Sequence, residues 1–203
     1  MTLRSPKTRQ RAQQKRAEET RQRLLAAAIE MFATVGFEGV TVAALEEEAG
    51  VQRGLLRYHF DSKDALFLAL VADMSENVKS SARAALSEDM SALEIEAAAL
   101  AAFLDFASEH KEIYRIIDEA EFVDPASYRT HYETIAERIA GRLKGGAERG
   151  EFRDDLGEVE AWAIMGMNVF VGLRYAVWGD GQRSSQDIAA AVNRLLAQGV
   201  QRT

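Results

Sequence analysis

Gln52, Arg53 and Arg57 lie close together in the chain, opposite an apolar pair at Leu56 and Phe60 spaced four residues apart. On a short helix this pattern buries Leu56 and Phe60 and leaves the amide and the two guanidinium groups on the other side. Those groups suit nucleic acid. A glutamine amide pairs with an adenine edge, an arginine forks onto guanine, and either side chain also holds a phosphate. Gly54, between them, removes a side chain where a helix must lie close to a groove wall. An isolated arginine pair reads as readily as a solvated helix face, so the surrounding elements decide its meaning.

Upstream, Leu24, Leu25, Ala28, Ile29 and Phe32 recur at the interval that keeps apolar side chains on one helical face, and Gly36 ends that helix. Thr41 is placed to cap a second helix with Val42, Leu45 and Ala49 on one face, and Gly50 supplies the tight turn into the helix from about Gln52 to Tyr58. Ser62 then reads as the cap of a longer connecting helix, with Ala65, Leu66, Leu68, Ala69, Ala72 and Met74 continuing an apolar stripe towards Leu86.

The apolar first helix with Phe32, the Gly36-Phe37 turn, Thr41-Val42, Ala49-Gly50-Val51, Arg53-Gly54, His59-Phe60 and Ser62-Lys63-Asp64-Ala65-Leu66 together resemble the N-terminal domain of the TetR family of transcriptional regulators. The detailed motif covers residues 20 to 67, while length and helical character extend the resemblance to the whole chain. It implies an all-α fold of about nine helices: a flexible basic arm over 1–19, a three-helix helix-turn-helix head over 20–66, and a helical ligand-binding and dimerisation body over 67–203. DNA contacts are expected from Thr41, Gln52, Arg53, Gly54, Leu55, Arg57, Tyr58, His59 and Lys63, with Lys63 on a phosphate. Where the family often carries Ser, Thr and Tyr along its recognition helix, this chain has Gln52, Leu55 and Arg57. Leu55 makes no hydrogen bond to a base but fits a thymine methyl, so no relative's operator sequence transfers to this chain.

A formal net charge of -7 looks adverse to DNA binding until the charges are located. Residues 1 to 60 carry ten Lys or Arg against seven Asp or Glu, and the first 23 residues carry eight against two. The excess of acid lies in the remainder. Arg4, Lys7, Arg9, Arg11, Lys15 and Arg16 thus form an arm able to follow phosphates or enter a minor groove, or else a solubilising tail.

Beyond the head, helices are expected over Leu93–His110, Glu112–Phe122, Pro125–Glu148, Leu156–Trp178 and Ser185–Gly199. The run from Ala161 to Trp178 is apolar around most of its circumference, which requires burial on more than one side. Asn168, Arg174 and the glycine breaks argue against a membrane span. One face packing on its own body and the other on a second subunit resolves the pattern, with Gly166, Val169, Gly172, Ile188, Val192, Leu195 and Gly199 at a homodimer interface. A twofold pair of heads requires a roughly palindromic double-stranded operator.

A small, mainly apolar effector is expected inside the body. Candidate lining residues are Leu100, Phe103, Leu104, Phe106, Tyr114, Ile117, Phe122, Tyr128, Tyr132, Trp162, Met165, Phe170 and Tyr175, although aromatic stripes at helical spacing are more often plain core. Asn168 and Arg174 are the polar members of that set, and Arg174 reads either as an anion ligand or as half of an ion pair. Glu119, Glu121 and Asp124 read as a solvated helix end or a cation site.

Other classes fit less well. His59, His110 and His131 lie far apart, no metal-ligand spacing or phosphate loop appears, and cysteine is absent. The expectation is therefore a non-enzymatic, cytoplasmic regulator without metal or cofactor, most simply a repressor released by its effector. An architectural DNA binder needing no ligand is the alternative.

Overall fold

The computed structural model describes residues 6–179 and 181–200, without the side chains of residues 6–9 and 12. Among these residues the chain forms nine α-helices and no strand: α1 (Pro6–Val35), α2 (Val42–Glu48), α3 (Leu55–His59), α4 (Lys63–Ala84), α5 (Ala92–Glu109), α6 (Glu112–Val123), α7 (Pro125–Glu148), α8 (Glu158–Gly172) and α9 (Ser185–Val200). No helix among them is long and apolar enough to cross a membrane.

The chain divides into two units. One holds residues up to Asp73 together with Arg115–Asp124, and the other holds Met74–Tyr114 and the residues from Pro125 onward. The boundary therefore falls within α4 rather than at residue 66, and most of α6 belongs to the first unit rather than to the body.

In the first unit, Leu24, Ala28, Phe32, Leu45, Leu56, Leu66, Phe67 and Leu70 are completely buried. Phe32, Phe37 and Phe67 meet with ring centroids 5.1 to 5.6 Å apart, two of the three pairs edge to face. That geometry adds to burial because ring edges and faces carry opposite partial charge. Gly36 ends α1 with a φ of +81°, a backbone region that only glycine enters freely.

The second unit is built from longer helices around two apolar clusters. One contains Ile139, Leu143, Phe152, Ala161, Ile164 and Met165; the other contains Leu100, Leu104, Ala107, Ala176, Ile188 and Ala189. Ser91 opens α5 through a reciprocal capping box with Glu94, whose carboxyl is held below its ordinary range chiefly by the hydrogen bonds from Ser91. Glu96 is buried and forms a two-pronged ion pair with Arg142 of α7. Past Gly172, α8 loosens into a π-helical turn over Leu173–Val177, closed by the bond from the Trp178 amide to the Leu173 carbonyl, 3.0 Å.

Several sequence expectations change. The arm over 1–19 is not loose from residue 6 onward, because those residues are the opening turns of α1. Its Gln, Arg, Lys, Ala and Glu residues are strong helix formers, and pairs such as Lys15 with Glu19 and Gln22 with Glu18 support it one turn apart. Residues 1–5, including Arg4, lie outside the described residues. Gly172 and Ile188, expected at a subunit interface, face their own unit. A β-carbon on Gly172 would run into the Tyr114 hydroxyl and come within 2.8 Å of Phe103, and Ile188 is part of a core cluster. Arg174 is exposed, stacked over Tyr175, and is not a buried polar exception.

Candidate functional site

The short helix α3 has too few residues to hold its own orientation, and the first unit fixes it from outside. The amides of Gly54 and Leu56 both donate to one carboxylate oxygen of Glu46, at 2.8 and 2.9 Å. Glu46 comes from α2 and is 4% exposed, so a buried acid satisfies the unpaired N–H groups at the start of α3. Gly54 takes the left-handed conformation that this approach requires, with φ +88°. Arg23 of α1 secures the preceding turn by donating to the Gly50 carbonyl at 2.7 Å. Thr41 caps α2 by accepting from the Ala44 amide at 3.2 Å.

This framework leaves a polar face open. Gln52, Arg53 and Arg57 are exposed, Tyr58 is 74% exposed, and Leu55 and His59 are half-buried, while Leu56 beneath them is fully buried. The helix begins at Leu55 rather than at Gln52 as the sequence pattern suggests. The left-handed Gly54 breaks the helical path, so Gln52 and Arg53 stand on the turn before the helix and Arg57 and Tyr58 on the helix itself. All four remain free to approach a groove.

Lys63, expected on a phosphate, is engaged with the chain's own backbone. Its ammonium donates to the carbonyls of Phe37 and Val40 at 2.8 and 3.0 Å and lies 4.0 Å from the centre of the Phe37 ring. Two of its three N–H donors thus tie the start of α4 to the turn between α1 and α2. On the same turn, Glu119 of α6 accepts from the Phe37 amide at 2.8 Å, and Arg115 donates to the carbonyls of Ala33 and Thr34 at the end of α1. Glu119 therefore holds backbone, and no group of acids or histidines suited to a metal ion occurs among the described residues.

The backbone-holding roles of Glu46, Arg115 and Glu119 escape sequence reasoning. Glu46 looks like one of three successive surface acids, Glu46-Glu47-Glu48, and only the apolar register of Val42, Leu45 and Ala49 hints that it turns inward. No sequence signal marks the long-range bonds from α6.

The second unit contains a cavity of about 430 Å³ between α4, α5, α7 and α8. Of the expected effector residues, Leu100, Phe103, Met165 and Asn168 line it, as does Val169, expected at the dimer interface. The Asn168 side-chain oxygen is buried and lacks a hydrogen-bond partner. Tyr175 instead lines a smaller space of about 270 Å³ beside α9. Tyr114 donates from its hydroxyl to the Val169 carbonyl at 2.8 Å, and Tyr132 packs against a core cluster. Tyr128 stacks edge-on with Tyr132, and Phe106 lies against His110. Ile117 is buried in the first unit, whereas Phe122 is 84% exposed, so neither lines a cavity of the body. The sequence pattern did not single out Lys79, Arg83, Arg138 and Arg142, which all border the larger cavity.

On α8, on α9 and at Trp178 just past the π-helical turn, apolar surface remains in the open. Val159, Phe170, Trp178 and Leu195 are strongly exposed, Trp162 is 37% exposed, and added β-carbons on Gly166 and Gly199 would meet nothing. Val192 packs against a core cluster of its own unit.

Residues 24–70 match the family model for bacterial regulatory proteins of the tetR family. The chain is 34% identical over 144 residues to the HTH-type transcriptional repressor AcnR of Corynebacterium diphtheriae, covering 67% of this chain and 70% of that protein. It is also 34% identical over 106 residues to the HTH-type transcriptional activator FasR of Mycolicibacterium smegmatis, a match that spans 52% of this chain and only 48% of FasR. A tetR-family regulatory protein from Rhodococcus RHA1 shares the fold with a TM-score of 0.74 at 20% identity, over 91% of this chain and 98% of that one. The chain belongs to the tetR family of bacterial regulatory proteins.

Proposed function

We propose that two copies of this chain bind a roughly palindromic operator as a repressor and leave it when a small effector enters the cavity of the second unit. The observation that carries the DNA-binding part is the open face of Gln52, Arg53, Arg57 and Tyr58 around a helix anchored by the buried Glu46. Gln52 and Arg53 read base edges, Arg57 and Tyr58 hold phosphate or sugar, and Leu55 touches a thymine methyl. Thr41, His59 and Lys63 flank that face. Arg11, Lys15 and Arg16, all exposed on the first turns of α1, add phosphate contacts.

The open apolar surface of α8, α9 and Trp178 supports the dimer. Val159, Trp162, Phe170, Trp178 and Leu195 are large side chains left in water by a single chain, and Gly166 and Gly199 allow backbones to approach closely. Repression follows AcnR, whose match covers more of both chains, rather than FasR, named an activator. For the effector, α4 supplies walls of the cavity and continues without a break into the first unit. A ligand that favours one position of α4 changes operator affinity, by about five- to 150-fold for a coupling of 1 to 3 kcal/mol.

Footprinting on the DNA upstream of its own gene tests the reading. A protected, twofold-symmetric site bound about a thousand times more tightly than scrambled DNA is expected. Equal affinity for both would leave only an unspecific DNA binder, and a monomer at the concentrations that footprint would remove the paired heads.

A further inference from the structure

We infer that the cavity bounded by α4, α5, α7 and α8 takes an organic anion with an apolar body, its charged group held between Arg83 and Arg138. The inference deepens the effector reading above and rests on it for the consequence to DNA, although binding itself is independent of DNA. Lys79 and Arg83 stand one turn apart on α4, and Arg138 and Arg142 stand one turn apart on α7; all four line the cavity, and no acidic side chain does. Like charges one helical turn apart cost about 0.2–0.5 kcal/mol per pair, so the helices themselves gain nothing from this arrangement.

Two of these cations are neutralised. Arg142 is paired with the buried Glu96, and Lys79 lies 2.9 Å from Glu76. Among the described contacts Arg83 and Arg138 have no ion pair. They share a field with Lys79: the Glu76 carboxyl is held below its ordinary range first by its hydrogen bond from Lys79, with the charges of Arg138 and Arg83 acting in the same direction. The remaining wall is largely apolar, with Val78, Leu86, Leu100, Phe103, Ile139 and Met165. A volume of about 430 Å³ falls within the roughly 300–1,000 Å³ usual for small-molecule sites. A neutral apolar molecule would fill this wall without engaging the half-buried Arg138 or the exposed Arg83, and a cationic one would be repelled. An anion meets both halves, because a guanidinium binds carboxylate or phosphate through paired, charge-assisted hydrogen bonds.

The test is titration calorimetry on the full chain without DNA, using decanoate, decyl phosphate, decanol and decyltrimethylammonium as probes. Decanoate or decyl phosphate should bind at least about tenfold more tightly than decanol, equivalent to ~1.4 kcal/mol, and the cation should not bind. The preferred anion separates a carboxylate from a phosphate ester. Arg83→Gln with Arg138→Gln should bring anion affinity down to that of decanol; Arg83→Gln alone should lower it partway and serves if the double variant does not fold. Decanol binding as tightly as both anions, an unchanged anion affinity in the variants, or no binding of any probe overturns the inference. An operator gel shift with the bound anion then distinguishes the two readings. Arginine-dependent binding with the operator retained supports the anion site and removes only the inducer reading.

Discussion

The first unit fixes the direction of its short helices with charged side chains bonded to backbone, whereas the second aligns its long helices through apolar clusters, with acids such as Glu94, Glu151 and Glu160 at helix starts and cations at the border of a cavity. Glu46, Arg23, Lys63, Arg115 and Glu119 each end on a main-chain amide or carbonyl at a turn of the first unit. Its helices α2 and α3 have seven and five residues, too few to set their own direction, and apolar contact is non-directional. Hydrogen bonds supply the direction. In the second unit the helices α5, α7, α8 and α9 run from 15 to 24 residues and align through long apolar stripes, which leaves room for a void without loss of the fold. On the proposed function, the head needs one orientation and the body needs a space that an effector can fill.

The largest effect should come from the exception in the body, its buried ion pair. Glu96 carries a side chain 3% exposed, and Arg142→Leu would leave that carboxylate without its partner. Removing one member of a buried pair costs about 3–5 kcal/mol. A urea midpoint unchanged in Arg142→Leu would sharpen the contrast, because it would mean that charge is dispensable even at the one buried pair described in the body, whereas the expected drop makes that pair its exception.

His131 of α7 offers a second measure of the body, through pH. Its pKa is lowered to about 4, first by burial and then by the nearby Arg138 charge, and its Nδ1 lies 2.7 Å from the Ser75 hydroxyl. Unfolded, the ring titrates near its ordinary 6.5. The unfolded chain therefore binds more protons between these values, so stability is complete above about pH 6.5 and falls as pH drops towards 4, by about 3 kcal/mol in all. Subtracting the pH profile of His131→Gln from that of the parent isolates this contribution. A difference profile that is flat between pH 7 and 4 would show that the ring is not buried as described.

In the head, Glu46→Ala should lower stability by about 2 kcal/mol, since two amides lose a charged acceptor. Operator affinity measured well below the melting range should fall further than folding does, because α3 loses its anchor while its exposed face keeps every contact residue. Glu46→Gln retains an acceptor oxygen and should recover part of both. Equal affinity in the parent and Glu46→Ala would mean that the apolar contact of Leu56 alone orients α3.

Much of this contrast was legible before any coordinates. Thr41 as a cap, Gly36 and Gly50 at turns, Ser62 before α4 and Pro125 at the start of α7 are local signals, and each sits where its chemistry placed it. The start of α3 was misread because Gly54 looks like relief for a close approach, whereas its positive φ ends the turn and begins the helix. Sequence shows what glycine permits but not which use the fold makes of it. Long-range polar contacts were opaque: Glu119 meets Phe37 across 82 positions and Arg142 meets Glu96 across 46. The effector candidates went astray for a related reason. Aromatic spacing marks buried surface without distinguishing filled core from void, so Tyr114 and Tyr132 were grouped with Phe103 although only Phe103 borders the larger cavity. The more telling signal was two pairs of cations one turn apart.

Lys63→Ala should have the smallest effect, and it asks whether one residue of the head serves both framework and ligand. The variant loses two ammonium-to-carbonyl bonds at a half-buried site, and since the carbonyls of Phe37 and Val40 gain access to water in return, about 1 kcal/mol is expected. The third N–H is the one available to a phosphate, and loss of that contact should make the dependence of log affinity on log salt shallower by about 0.9. Lys63→Arg restores the charge, although its planar fork does not reproduce the two bonds made by one ammonium, so it should recover the salt slope more fully than the melting temperature. A lowered melting temperature with an unaltered slope would confine Lys63 to the turn, leaving the phosphates to Arg57, Tyr58 and the cations of α1. A shallower slope with the melting temperature unchanged would instead mean that the backbone bonds of Lys63 contribute nothing to the head, against the principle that its polar side chains set its geometry.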